Sequence, residues 1–493
     1  MQLTSKDITS LHKPSECSLR IYLGSKGTPK SEPASLEKLI NKFAKQHEQN
    51  HLRTLGNFMD LREGSLDQRY QETGYAITDK EEILYQPILY AKTVIDKTEI
   101  EIYGGADFFI SEKDNYIIRD CKMIKNLRNN KGKIKKEHLN IELQITLCAW
   151  LFEQNYKIEP SELQIFTKSN QIEKIPYDGG EKALIALKEI IRMRTLKKTP
   201  YSPVGVSKCG QCEFHNHCWT NAQEKHDIAL VYEVDQSLAI ALHNKKIKTY
   251  DEIENAFTVE ELAEFKNING ARVGKKAESI LRNAKAMAED TEIIIQSPEI
   301  PIHDNYVMFD LEGIPSNLAD EEMIYLWGIQ VYGKIKGEFL PSVASFKDDG
   351  DEIAWEDFLN NANKIFKKFG DIPFVHWASY EKTQLNRYIE RYGDNKGIAE
   401  RIKRNLLDLL PVTKKSIAIP REGYSIKVVE KHIGFKRTLD EYGGDWAIAK
   451  YFEAKVNNDF TRQKQLIDEI LLYNHEDLDS TWAVLEWLLE RKK

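Results

Sequence analysis

Residues 104–122 read GGADFFISEKDNYIIRDCK, and the organisation of the first part of the chain turns on them. Two runs rich in aromatic and β-branched residues flank the polar SEKDN, the pattern of a β-hairpin whose apolar side chains pack on a pleated surface around a tight turn. Asp107 falls on the first predicted strand. Asp120 and Lys122 fall two apart on the second, so they project from one face. Two carboxylates meeting across such a sheet can hold a divalent cation through hard oxygen donors. The adjacent ammonium can then orient a water and stabilise charge that develops on a phosphate oxygen. A solvent-facing salt bridge is the alternative reading of any single Asp-x-Lys.

Outward from the hairpin, the chain reads as an α/β multidomain protein in three blocks. Residues 1–222 open with SLEKLINKFAKQHEQNHLRTL, whose apolar residues recur at three and four and predict a helix. After the hairpin comes a second predicted helix, HLNIELQITLCAWLFEQ, and then a cysteine cluster. Residues 228–290 show short helical patterns and no strand pattern. Residues 300–493 follow the proline-flanked SPEIPIHDN, open with the strand-like YVMFDLEG and MIYLWGIQVYG, and close in one long helical pattern. No fixed-period repeat is visible.

The length of 493 residues, 41% hydrophobic and 30% charged, is enough for about three packed domains at roughly 100–200 residues each. No apolar run approaches the roughly 20 residues that span a bilayer. The start, MQLTSKDITSLHKPSE, lacks an apolar signal core, and six cysteines in so long a chain make no disulfide framework. A cytoplasmic protein without membrane attachment is the expectation. The net charge of −7 argues against a histone-like coat on nucleic acid. Yet residues 1–220 carry 33 Lys+Arg against 29 Asp+Glu, and Lys122 to His138 holds seven Lys/Arg and one Glu. Lys125, Arg128 and Lys133 in that stretch are candidate phosphate contacts; a solvated loop is the plainer reading.

The Asp, hairpin, Asp-x-Lys pattern resembles the RecB-like PD-(D/E)XK nucleases, which have a mixed sheet flanked by helices. The resemblance implies a metal-binding histidine on an upstream helix, matched by His47 of QHEQNH, with His51 as the weaker candidate. It also implies a catalytic glutamine on the helix after the lysine, matched by Gln144. Ala106 replaces the proline of the motif, and Cys148 stands where many members have tyrosine.

Cys209-Gly-Gln-Cys212 and Cys218 form a three-thiolate set in a polar loop, suited to zinc or an iron–sulfur cluster, and His215 and His217 keep a Cys₃His zinc site open. The spacing resembles the AddB-type subset of these nucleases and certain CRISPR-associated exonucleases. That resemblance implies that Cys17, Cys209, Cys212 and Cys218 hold a [4Fe–4S] cluster closing the two ends of the domain. Cys121 and Cys148 are expected to be buried small residues.

In the middle block, NINGARVGKKAESIL resembles the hairpin of helix-hairpin-helix modules, which implies phosphate contacts around Gly270, Gly274, Lys275 and Lys276. A helical spacer with a glycine turn is the other reading. The spacing is not that of a Walker A loop, so no ATP-driven motor is encoded here.

In the last block Asp310 and Glu312 lie two apart on a strand, while Tyr473 and Asp477 are spaced i, i+4 on one helix face. Together they resemble the DEDDy-type RNase H-like 3′–5′ exonucleases, closest to the YprB-like domains fused to RecB-like nucleases. This implies an intervening acid, matched by Glu381 with His376 and Tyr380 close by, two Mg²⁺ or Mn²⁺ ions, and Tyr473 positioning the attacking water. Asp408 is expected to be structural. The combined expectation is a metal-dependent nuclease on DNA, with RNA possible, in repair, recombination or defence, beside a separate helicase. The alternative is a scaffold whose sites have decayed and which grips nucleic acid or a helicase without cutting.

Overall fold

The amphipathic pattern QHEQNH belongs to becomes helix α1 (Ser35–Leu55), and the turn at SEKDN becomes a two-residue connection between strands β3 (Phe108–Glu112) and β4 (Asn115–Lys122), with Lys113 at a positive φ of 59°. The computed structural model describes residues 1–316, 318–319, 321–394, 396–439 and 443–492. It is mixed α/β and divides into two units, one made mainly of residues 1–218 and the other mainly of residues 219–493.

In the first unit a six-stranded sheet runs in sequence order through β1 (Met59–Asp60), β2 (Ile83–Tyr85), β3, β4, β5 (Glu162–Thr167) and β6 (Ile172–Ile175). It is mixed: β3 and β4 pair antiparallel, β4 and β5 parallel. Helix α2 (Leu139–Tyr156) is the central helix. Every residue from Asn140 to Phe152 except Gln144 is buried, as expected of a helix apolar on all sides. A three-stranded sheet of residues 2–4, 98–105 and 88–95 completes the unit.

The second unit begins with short helices, the longest of them α3 (Ala277–Glu289), around Leu238, Leu242, Ile253, Leu262 and Ile280. It continues into a five-stranded sheet in the order β9 (Leu340–Val343), β8 (Met323–Gly333), β7 (Asn305–Ile314), β10 (Phe374–His376), β11 (Leu406–Asp408). The first three strands pair antiparallel, and β7, β10 and β11 run parallel. Helices α4 (Tyr380–Tyr392), α5 (Leu409–Ser416) and α6 (Ile426–His432) follow, and the closing pattern is a single helix, α7 (Phe460–Glu490). Its buried residues, among them Leu466, Ile470, Tyr473, Asp477, Val484 and Leu488, repeat at three and four, so one stripe faces the sheet. Among the described residues no helix is long and apolar enough to cross a membrane.

Candidate active sites

In the first unit Asp107 stands one residue before β3, directly across from Asp120. Its backbone N–H donates to Asp120 Oδ1 at 3.0 Å, and its own Oδ2 accepts from the Cys121 N–H at 2.7 Å. Asp120 is only 1% exposed and meets the Lys122 ammonium at 3.0 Å, and Lys122 reaches Gln144 Oε1 at 3.2 Å. Burial, then the Asp120 charge, pushes Asp107 up to about 8. Burial alone would pull Lys122 down, but Asp120 and Asp107 hold its ammonium above the usual lysine value. Four of the five residues singled out here therefore converge through hydrogen bonds and ion pairs.

His47 is placed differently. It stacks on Phe166, rings 5.1 Å apart, and Phe166 is the strand partner of Cys121, on the face opposite Asp120. Its Nε2 is buried without a hydrogen-bond partner, which leaves that atom available as a ligand, and burial pulls its basicity down. His47, Asp107 and Asp120 do not bring three ligand atoms within 4.8 Å of one another. His51 stacks on the same ring at 3.7 Å and faces Arg119 across 3.0 Å. The residue that α1 does direct to the carboxylates is Glu48: its Oε1 accepts from Tyr85 at 2.6 Å and from Gln86 at 2.8 Å, and Gln86 also donates to Asp107 at 2.9 Å. The sequence carried a signal for it, a carboxylate next to the singled-out histidine, but the donors Tyr85, at the end of β2, and Gln86, just after it, are what select it.

None of the six cysteines is in a disulfide. Cys218 is pushed up to about 12 by burial and then by Cys17, Cys212 and Cys209, so all four sulfurs lie within electrostatic reach, although no three approach within 4.8 Å of one another. Cys148 is buried and Cys121 half-buried. In the basic loop Lys125 and Lys133 are exposed. Arg128 ties the loop down, donating to Gly132 O at 2.9 Å within it and to Lys174 O on β6 at 2.7 Å. Lys275 and Lys276 are exposed in the turn that leads into α3.

The second unit holds the tighter constellation. Asp310 and Glu312 on β7 and Asp477 on α7 bring ligand atoms within 4.8 Å of one another. Burial first, then the neighbouring carboxylates, raises Asp310 well above its usual range, and burial followed by Asp477 lifts Glu312 to about 8. Three acids packed this closely in little water repel one another unless cations compensate. Lys427 pairs with Asp477 at 3.0 Å, and the buried Arg437 bridges Asp477 and Glu430. Tyr473, one turn before Asp477, is buried beneath the Lys427 ammonium, 4.9 Å from its ring centre. Burial, then Glu312 and Asp477, keeps its phenol protonated. Glu381, at the start of α4, adds to the charge felt by Asp310 but is engaged by His376 Nδ1 at 3.1 Å. Asp408 caps α5 and accepts the Ala378 N–H at 2.9 Å.

Sequence reasoning missed Lys427, Arg437 and Asn474, whose Nδ2 donates to Asp310 at 2.6 Å. Lys427 and Arg437 lie on a segment with no local motif, and only the chain's path brings them in. Asn474 was legible in hindsight, since it sits between Tyr473 and Asp477.

The site's all-oxygen donor set suits a hard divalent ion such as Mg²⁺ or Mn²⁺, and the mutual repulsion of the three acids gives such an ion something to relieve. Residues 307–489, which contain the cluster, match the family described as the RNase_H superfamily. The match supports an RNase H-like domain in that part of the chain. A solved structure titled "Crystal structure of SSO0001" is similar at 17% identity over 36% of this chain and 96% of its own, with a TM-score of 0.20. No curated protein matches the chain.

Proposed function

We infer that the protein is a metal-dependent nuclease that hydrolyses phosphodiester bonds of DNA, acting on single-stranded ends through an RNase H-like 3′–5′ exonuclease site. The observation that carries this reading is the convergence of Asp310, Glu312 and Asp477 within 4.8 Å from opposite ends of the matched domain. These carboxylates would hold Mg²⁺ or Mn²⁺, with Glu381 completing the set once it leaves His376. The bound ions would supply a Lewis acid and a water acidified toward neutral pH. Tyr473, kept protonated, has an O–H to donate and can orient a water beside Asp477. Lys427 and Arg437 neutralise Asp477 and offer positive charge to a scissile phosphate.

A second, PD-(D/E)XK-type site is part of the proposal. The Asp107–Asp120–Lys122–Gln144 network supports it: Asp107 and Asp120, with His47 or Glu48 from α1, would bind a cation, and Lys122 would hold the attacking water and meet the developing negative charge. The division into 1–222, 228–290 and 300–493 accompanies this reading, with the helical middle binding phosphates. A [4Fe–4S] cluster on Cys17, Cys209, Cys212 and Cys218 is proposed as its structural staple. A cytoplasmic role in repair, recombination or defence beside a separate helicase fits such an enzyme.

The test is cleavage of end-labelled DNA and RNA with Mg²⁺ or Mn²⁺ by the wild type and by Lys122→Ala and Asp477→Ala. Each variant is expected to lose one activity by about 10²–10³-fold and retain the other. Equal loss of the same activity in both would sink the two-site reading. The scaffold reading has one observation in its favour, the pairing of Lys427 and Arg437 with Asp477. Tight binding without cutting by the wild type under either cation would select it.

A further inference from the structure

A cavity of about 330 Å³ in the second unit is lined by Tyr232, Lys275, Lys276, Lys414, Lys415 and Tyr424. Four lysines face it, and Glu233 is the one acid in its wall. Among the described residues none of the four forms an ion pair within 4 Å, in a protein whose net charge is −7. Lys414 lies over the Tyr232 ring at 4.9 Å, and Tyr232 packs edge-on against Tyr424. Tyr424 is fixed from behind, its hydroxyl donating to Asn283 Oδ1 at 2.9 Å. The cavity also lies at the start of α3, whose dipole adds to the positive field. A smaller pocket of about 100 Å³ shares Lys415 and is lined by Ser416, which is 1% exposed and whose hydroxyl has no hydrogen-bond partner.

We propose that this cavity is a phosphate-binding site that takes one nucleotide unit of a nucleic-acid strand, with the lysines on its phosphate and the base against Tyr232. Lysines without a close ion pair beside an aromatic face are the recurring chemistry of single-strand binding, where backbone charge supplies affinity and stacking holds the base. The buried Ser416 hydroxyl offers a further donor to a phosphate oxygen entering past Lys415. Lys414, Lys415 and Tyr232 thereby join Lys275 and Lys276 in one site shared by the helical middle and α5. The assignment of nucleic acid as ligand rests on the nuclease reading; the existence of an anion site does not.

The experiment measures binding of a fluorescent single-stranded oligonucleotide by anisotropy, in EDTA so that no cutting occurs, across a salt series. Lys414→Glu/Lys415→Glu and Lys275→Glu/Lys276→Glu are each expected to weaken binding at least tenfold, and to reduce the salt slope by about 0.7, the share of the one phosphate held there. Tyr232→Ala is expected to weaken it about tenfold with the slope unchanged. Circular dichroism establishes that each variant is folded, and Lys415→Gln, at an exposed position, gives a milder substitution expected to lose affinity in the same direction. Unchanged affinity and slope in both charge-reversed pairs overturns the proposal. So does competition by a mononucleotide at the cavity when the strand itself binds equally well to every variant. A wild type that binds through these lysines yet cuts under no cation would instead defeat the nuclease reading alone.

Discussion

Glu312 sits among like charges with little water to screen them, and burial, then Asp477, pushes its carboxyl up to about 8. Without a cation the folded protein keeps a proton there that the unfolded chain releases near the ordinary glutamate value of about 4.3. The folded state binds the extra proton, so this group's contribution to stability is complete below that value and declines as pH climbs toward about 8. Asp107 acts in the same direction in the first unit. In chelator the melting temperature of wild type relative to Glu312→Gln should therefore fall between about pH 5 and pH 8. Saturating Mg²⁺ or Mn²⁺ should flatten the difference, since a cation takes the proton's place. A gap between wild type and variant that is constant or widens in favour of wild type with rising pH would contradict the assignment.

At the scale of elements, the cluster depends on how closely α7 lies on the sheet. Asp310 pairs across the strands with Gly328, and a Cβ at Gly328 would stand 1.8 Å from Asn474 Oδ1. Only glycine lets Asn474 come down to donate to Asp310, and the same helix turn carries Tyr473 and Asp477. Gly328→Ala should push α7 away, destabilising the protein by about 1–3 kcal/mol in urea unfolding and lowering cleavage at the Asp310–Glu312–Asp477 site. Asn474→Ala on that background removes the collision, so the double variant should be more stable than the sum of the singles predicts. Additive losses would mean that the contact does not set the spacing. Gly313, on β7 with Asp310, leaves room for α4 in turn: a Cβ there would meet Tyr380 Oη at 2.5 Å.

At the scale of the whole molecule, the proposed cluster on Cys17, Cys209, Cys212 and Cys218 would join the start of the first unit to its end. Closing the loop from Cys17 to Cys209 would stabilise that unit by about 5 kcal/mol on chain-entropy reasoning. Protein purified anaerobically should be brown, with broad visible absorption, and Cys218→Ser should lose iron and melt several degrees lower. Colourless protein with stoichiometric zinc would overturn the cluster. The two units also predict separable chemistry, read by the Lys122→Ala and Asp477→Ala pair.

The sequence by itself determined the periodic elements and those site residues that share one of them. A strand alternates faces and a helix turn repeats at four, so Asp120 with Lys122, Asp310 with Glu312, and Tyr473 with Asp477 could be paired by counting alone. The 104–122 hairpin and the helices of 35–55, 139–156 and 460–490 were legible for the same reason. Tertiary structure alone decided which of these pairs meet and what faces them. It brought α7 onto β7, turned His47 toward Phe166 and Glu48 toward Gln86, tied Glu381 to His376, and delivered Lys427 and Arg437 to Asp477. Such contacts join residues far apart in the chain, and their geometry depends on packing between elements, which leaves no period in the sequence to read.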